Sequence, residues 1–69
     1  MKKLKLNDKD IKLLSELPEH GMGYQIVDIF LNNGNVLQKR IVLNSTFLQM
    51  EEHEKLNLEE IKKIELHLI

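Results

Sequence analysis

Apolar residues recur along the chain with two spacings, and each spacing predicts a different element. Over residues 8–17 they lie about three apart, which is typical of one face of an amphipathic helix. Asn7 is suited to cap the start of this helix with its side chain. Pro18 favours an end just before it, because proline disfavours helical geometry in the preceding residue. A helix this short needs an apolar surface to dock on.

Beyond residue 23 the apolar positions alternate with a period of two, which predicts strands. The predicted strands cover residues 24–31, 36–43, 46–50 and 62–69. In the first strand, one face carries Val27, Ile29 and Leu31, and the other carries Tyr24, Ile26, Asp28 and Phe30. Since both faces are mostly apolar, we expect this strand to be covered on both sides, with the helix available for one of them.

The turns between these strands carry their own signals. Asn33-Gly34 predicts a hairpin with a type I′ turn, which requires positive φ at both central residues. Such a hairpin would place Asp28 opposite Lys39, so we expect a cross-strand ion pair there rather than a buried carboxylate with a raised pKa. Asn57, three residues before Glu60, predicts a capping box and a single helical turn over 57–61.

The order of elements is therefore helix, three strands, one turn and a closing strand within a single small domain, residues 1–69. It predicts a mainly β (α+β) fold, in which a short N-terminal helix packs on a small, bent antiparallel sheet.

Three stretches carry a resemblance to a known architecture: "IVDIFLNNGNVLQKRIVLN", "EEHEKLNLEEI" and "IKKIELHL". Together they resemble the SH3-like and Sm-like barrels of small bacterial proteins, over roughly residues 24–69. The resemblance implies a partly closed barrel. The chain lacks the Asp-x-x-Met-Asn and Arg-Gly loops with which Sm proteins bind RNA, and it has few aromatic residues for an SH3-type peptide shelf. No binding residue is carried over from either family.

Composition limits the classes of function. The chain of 69 residues has no cysteine and a formal net charge of −1, so a thiolate metal site is excluded and a general nucleic-acid binder is disfavoured. No apolar run approaches the roughly 20 residues that span a bilayer. We therefore expect a soluble, cytoplasmic protein with no membrane association.

Residues able to perform chemistry are present but scattered. His20, His53 and His67 lie far apart, although Glu65 and His67 share a strand face, so we expect no metal site. No nucleophile elbow surrounds a serine, and the glycines of "GMG" lack the rest of a phosphate-binding loop. We expect no catalytic residue, no cofactor and no enzymatic activity.

Two classes of interaction remain as hypotheses. The first is a protein partner or a second copy of the chain, bound through apolar surface at Met22, Ile26, Phe30 and Met50. The second, which we rank lower, is weak nucleic-acid (RNA) binding. Its candidate contacts are Tyr24, Lys39, Arg40, Lys62 and Lys63.

Overall fold

The computed structural model describes residues 2–68, and it is mainly β with one short helix. The element order is β1 (Lys2–Lys5), α1 (Asp8–Ser15), β2 (Tyr24–Leu31), β3 (Val36–Leu43), β4 (Phe47–Met50), a 3₁₀ turn (Leu58–Glu60) and β5 (Ile61–Leu66). The strands form one antiparallel sheet in the order β1-β4-β3-β2-β5. The sheet is open, with β1 and β5 as its edges, so the closure implied by a barrel is not confirmed.

The two central strands occupy the predicted ranges, whereas the ends of the chain differ. Sequence analysis missed β1, which pairs with β4 from Lys2 opposite Met50 to Lys5 opposite Phe47. The C-terminal strand begins at Ile61 and ends at Leu66, so it is shorter than predicted at its end. Residue 69 of that prediction lies outside the described residues.

The helix begins as predicted and ends early. The side chain of Asn7 accepts a hydrogen bond from the backbone N–H of Asp10 at 2.9 Å, which caps the first turn. The helix ends at Ser15 rather than at residue 17, and Leu17 contributes a backbone hydrogen bond to Leu14 in the turn that follows.

The core lies on the side of the sheet that meets the helix. β2 contributes every second residue, and Leu14 of the helix is fully buried among them. The buried apolar residues are Leu6, Leu14, Val27, Ile29, Leu31, Val42, Leu48, Met50 and Ile64. The opposite face of β2 is only partly buried in the structure, so the expectation of cover on both sides is wrong.

Gln25 is the polar exception within this core. Its side chain is completely buried, and its amide nitrogen donates to the carbonyl of Leu14 at 2.9 Å and, at longer range, to those of Leu17 and Pro18. Its oxygen accepts a hydrogen bond from the Ser45 hydroxyl at 3.2 Å. This side chain satisfies the carbonyls at the helix end and fixes that end to the sheet.

The hairpin between β2 and β3 is not of type I′. Of its two predicted turn residues, only Gly34 has positive φ, at 93°. Gly34 donates its N–H to the carbonyl of Leu31 at 3.0 Å, and Leu31 donates to that of Asn35 at 2.8 Å. This pattern is typical of a three-residue loop that ends in a left-handed glycine.

The longer loop changes the register of the hairpin. Phe30 faces Val36 and Ile29 faces Leu37, and a bulge follows between Val27 and Ile29. Lys39 lies at this bulge with a φ of 57°.

The 3₁₀ turn is held without a capping box. Asn57 precedes it, but its side chain makes no capping hydrogen bond; the backbone N–H of Glu60 bonds to the Asn57 carbonyl at 3.0 Å, and that of Ile61 bonds to the Leu58 carbonyl. The predicted single turn is therefore present, whereas its predicted side-chain cap is wrong.

Candidate functional site

The surface that remains uncovered is the side of the sheet opposite the helix, which we call the outer face. Its members follow from strand alternation and register. They are Lys3, Lys5, Tyr24, Ile26, Asp28, Phe30, Val36, Lys39, Ile41, Leu43, Phe47, Gln49, Lys63, Glu65 and His67.

Apolar side chains cross the middle of the outer face as neighbours on adjacent strands. Tyr24 faces Leu43, and Leu43 faces Phe47, while Ile26 faces Ile41 in the next row. Tyr24 and Ile41 are 36% and 38% exposed, respectively. These residues form a contiguous apolar band at the surface. Single exposed apolar residues are common on soluble proteins, whereas a contiguous patch often marks an interaction site.

A shallow depression opens beside this band. It has a volume of about 420 Å³ and is lined by Ile26, Ile41, Lys39 and His67. Its floor is apolar, and its polar groups come from one lysine and one histidine. Such a site accepts an apolar side chain and offers positive or hydrogen-bonding groups at its rim.

Asp28 sets the polar rim of the depression. Its carboxylate lies 2.8 Å from Nδ1 of His67 and accepts a hydrogen bond from the backbone N–H of Lys39 at 3.1 Å. Partial burial opposes ionisation, but the Lys39 and His67 hydrogen bonds outweigh it and hold the pKa of Asp28 below its ordinary value. Asp28 and Lys39 lie opposite each other, as predicted. The Asp28 carboxylate contacts the main chain of Lys39 rather than its side chain, and its ionic partner is His67.

Lysines flank the aromatic rings of the outer face. Lys63 lies over the ring of Phe30, 4.7 Å from its centroid, and also pairs with Glu65 at 3.1 Å. Lys3 lies over Phe47 at 5.9 Å. Both contacts are cation–π interactions. The outer face also carries more positive than negative side chains.

A second depression lies where β3 and β4 separate. The two strands pair only at Val42–Leu48 and Leu43–Phe47, next to their connecting turn. Beyond this point a cavity of about 390 Å³ lies between Gln38–Ile41 of β3 and Gln49–Glu51 at the end of β4. We call it the β3–β4 cleft.

One wall of the cleft is braced by an ion pair. The guanidinium of Arg40 binds both carboxylate oxygens of Glu54, and the Arg40 and Glu54 side chains are 24% and 20% exposed. Glu54 also accepts the backbone N–H of Glu51 at 2.7 Å. The Arg40 hydrogen bonds, with that of Glu51, lower the pKa of Glu54 to about 2, and the same contact raises the pKa of Arg40.

The predicted protein-interface residues divide into three groups. Ile26 and Phe30 lie on the outer face, partly exposed, and Met22 is fully exposed in the loop before β2. Met50 is only 6% exposed and belongs to the core, because β4 turns Leu48 and Met50 toward the helix side. Met50 is therefore not available as an interface residue.

The predicted nucleic-acid contacts are not all brought together. Tyr24, Lys39 and Lys63 lie on the outer face. Arg40 is engaged by Glu54, and Lys62 is exposed at the irregularity in β5, between Ile61 and Lys63, where the pairing with β2 shifts register. The basic residues therefore do not form one continuous group.

His20 and His67 both lie beside Ile26, whose carbonyl accepts the His67 backbone N–H at 2.8 Å. Nδ1 of His20 accepts the backbone N–H of Ile26 at 3.0 Å, which ties the "EHG" loop to β2, while His67 pairs with Asp28. In the part of the chain that the structure describes, no three His, Cys, Asp or Glu residues are grouped as metal ligands.

The sequence carried little signal for the Asp28–His67 pair. The two residues are separated by 39 positions and meet only because β5 pairs with β2. Strand alternation predicts which side of its own strand each residue occupies. It does not predict that the two strands are neighbours in the sheet.

Comparison with known proteins adds no relative: no protein-family model, curated protein or solved structure matches the chain. Across residues 2–68, no helix has the length and apolar character needed to cross a membrane.

Proposed function

We propose that this protein is a non-enzymatic interaction module that binds a partner protein through the outer face. The observation that carries the proposal is the apolar band of Tyr24, Ile26, Ile41, Leu43 and Phe47, in which Tyr24 and Ile41 are exposed and the other three are partly exposed. A contiguous exposed apolar patch with polar groups at its rim is characteristic of an interaction site.

The SH3-like outline is part of the same proposal. Its support is the meander β2–β3–β4, the 3₁₀ turn directly before β5, and the placement of β1 and β5 at opposite edges of the sheet. Pairing of those two edges would complete a barrel.

The experiment is affinity capture from a lysate of the source organism with matched variants. Ile41→Glu places a charge in the apolar band, and Leu13→Glu places the same charge on the exposed side of the helix. The two native side chains are 38% and 44% exposed, so the variants are matched in solvent access. Circular dichroism establishes that both variants are folded.

We expect a nuclease-resistant protein to be captured by the wild type and by Leu13→Glu, and to be lost with Ile41→Glu. Binding of the purified partner to the purified module should show the same order. Equal capture by all three proteins would contradict the use of the outer face. Sedimentation of the module alone distinguishes a second copy from a different partner.

A second candidate function is binding of single-stranded RNA, favoured by one specific observation. All three aromatic residues, Tyr24, Phe30 and Phe47, lie on the outer face with lysines beside two of them. Aromatic rings and cations on a sheet surface can stack bases and bind phosphates. Fluorescence anisotropy with a labelled oligouridine tests it: binding that weakens steeply with salt and with Tyr24→Ala would support it.

A further inference from the structure

The sheet has two edge strands, and their charges differ. Among the described residues, β1 pairs only with β4 and β5 only with β2, so each has one side that no strand covers. An uncovered strand edge can pair with the same edge of a second copy. The charged residues of β1 are Lys2, Lys3 and Lys5, so a second β1 would bring lysines close to lysines. Like charges therefore protect the β1 edge against self-pairing.

The other edge strand, β5, carries both signs of charge on one side. Lys63 and Glu65 lie two residues apart on the outer face, with their charged groups 3.1 Å from each other. Their side chains are 53% and 54% exposed, so both can contact further groups. In an antiparallel pair of identical strands the order of residues is reversed. A lysine and a glutamate on one side of the strand can then each face the opposite charge.

The hydrogen bonds between β5 and β2 determine which main-chain groups face the free edge. The N–H of His67 donates to the carbonyl of Ile26 at 2.8 Å, in the register that continues back through β5. Since hydrogen-bonded positions alternate along an antiparallel strand, every second residue back from His67 directs its main-chain groups to β2. Ile64 and Leu66, between these positions, direct their N–H and C=O groups to the free edge.

The charges favour one register for a second β5. With the two-fold axis at Ile64, each Lys63 faces Glu65 of the second copy at a non-hydrogen-bonded position, where facing side chains lie closest. Ile64 then faces Ile64 of the second copy, and the two exchange main-chain hydrogen bonds. An axis at Lys63 or at Glu65 would place like charges opposite each other. An axis at Leu66 would use residues beyond the end of the strand.

We propose that β5 pairs with β5 of a second copy of the chain, antiparallel and with the two-fold axis at Ile64, to form a dimer with one continuous sheet. Lysines and glutamates alternate around the axis, so each charge has an opposite charge along its own strand and another across the interface. The same surface is used by both copies, so the assembly closes at a dimer. The dimer goes beyond the proposed function, because edge pairing leaves the apolar band of both outer faces open.

The pairing between the two copies is short. The register of β5 against β2 shifts between Lys63 and Ile61, so the regular part of the strand begins at Lys63. A few main-chain hydrogen bonds and exposed ion pairs hold such an interface. We therefore expect a dimer that dissociates on dilution, and its affinity should respond measurably to the charges beside the axis.

Sedimentation equilibrium of the full chain over a range of protein concentrations measures this association. Lys63→Glu and Glu65→Lys each place like charges at both symmetry-related contacts, so each should weaken the dimer about 10- to 30-fold. An equimolar mixture of the two variants should associate about as tightly as the wild type, because every contact in the mixed dimer again joins opposite charges. The controls Lys9→Glu and Glu16→Lys make the same charge changes at exposed positions in and after the helix, and should leave the dimer unchanged.

Circular dichroism establishes that all variants are folded. In NMR spectra of the wild type, exchange of the Ile64 amide with solvent should slow as the protein concentration rises, because this N–H becomes bonded only in the dimer.

Three results would overturn the inference: a monomer at every concentration, a dimer that both charge variants leave unchanged, or single variants whose mixture does not regain association. A dimer that is lost with Ile41→Glu but kept by Lys63→Glu would place the second copy on the outer face and would also overturn it. The proposed function fails separately, since it depends on partner capture being lost with Ile41→Glu and not on the sedimentation of the β5 variants.

Discussion

Replacing Gln25 with leucine tests the link between the helix end and the sheet. Leucine keeps a similar volume but removes the amide that donates to Leu14 at 2.9 Å and, at 3.3 and 3.4 Å, to Leu17 and Pro18. The Leu14 carbonyl keeps its hydrogen bond from the Leu17 N–H, so the cost is that of the lost side-chain hydrogen bonds, about 0.5–1.5 kcal/mol for each well-formed one, including the bond that Ser45 donates to Gln25. We expect a loss of about 2 kcal/mol, because one of the three contacts is short and the other two are long.

That loss is large for this chain. A domain of this size has a free energy of unfolding of roughly 3–10 kcal/mol, from about 0.05–0.15 kcal/mol per residue. A loss of 2 kcal/mol corresponds to a fall in Tm of about 8–16 °C, at about 4–8 °C for each kcal/mol.

The assay is urea unfolding followed by circular dichroism, with Ser45→Ala as the matched control. Ser45 donates only the 3.2 Å hydrogen bond to the oxygen of Gln25, so its removal should cost less than about 1 kcal/mol. A Gln25→Leu protein within about 0.5 kcal/mol of the wild type would refute the role assigned to this side chain.

Three further predictions concern the turn and the two ion pairs. Gly34→Val should destabilise the fold by about 1–2 kcal/mol and Gly34→Asn by less, because valine resists the positive φ that asparagine tolerates; equal stabilities in thermal unfolding would contradict this. Glu54→Gln should lower stability at pH 7 by about 1–3 kcal/mol. Since the pKa of Glu54 lies at about 2 rather than 4.5, the stability advantage of the wild type over Glu54→Gln is complete above pH 4.5 and is lost as the pH falls from 4.5 toward 2. A stability difference in urea unfolding that stays unchanged across this pH range would count against the ion pair with Arg40. Asp28→Asn should cost about 1 kcal/mol of stability at pH 7. Because the pKa of Asp28 is lowered, this stability difference should vanish in acid, below the ordinary aspartate pKa of 3.8. A difference that persists there would exclude a contact between ionised Asp28 and His67.

The central hairpin could be predicted from the sequence because β2 carries a period-two pattern and Asn33-Gly34 marks a turn, although polar residues interrupt the pattern in the middle of β3. β2 and β3 occupy the predicted ranges, and Val27, Ile29 and Leu31 form the buried face of β2 as expected. Local signals of this kind depend on the strand itself and little on its neighbours.

β1 was missed because its signal is not local. Of its residues, only Leu4 is apolar, and Lys2, Lys3 and Lys5 provide no alternating hydrophobic pattern. The segment is a strand because it pairs with β4, a contact across more than forty positions of sequence. Edge strands rich in lysine also avoid unwanted pairing, which further weakens their hydrophobic pattern.

The details of the candidate site depended on features that the sequence does not fix. The hairpin loop has one residue more than expected, and β3 has a bulge at Lys39. As a result, Asp28 binds the main chain of Lys39 instead of its side chain. Strand alternation puts Gln25 on the face of Val27, Ile29 and Leu31, but the pattern gave no indication that its amide would donate to the carbonyls at the helix end. The cleft itself arises from the early end of pairing between β3 and β4.

The most direct test of the proposed interaction surface is site-specific photocrosslinking in the source cells. A photoreactive phenylalanine derivative at position 41 lies beside the cleft and the apolar band, and the same group at position 13 lies on the helix as the control. We predict a nuclease-resistant protein adduct from position 41 and none from position 13. No adduct at position 41, or equal adducts at both positions, would contradict binding of a partner protein at the outer face.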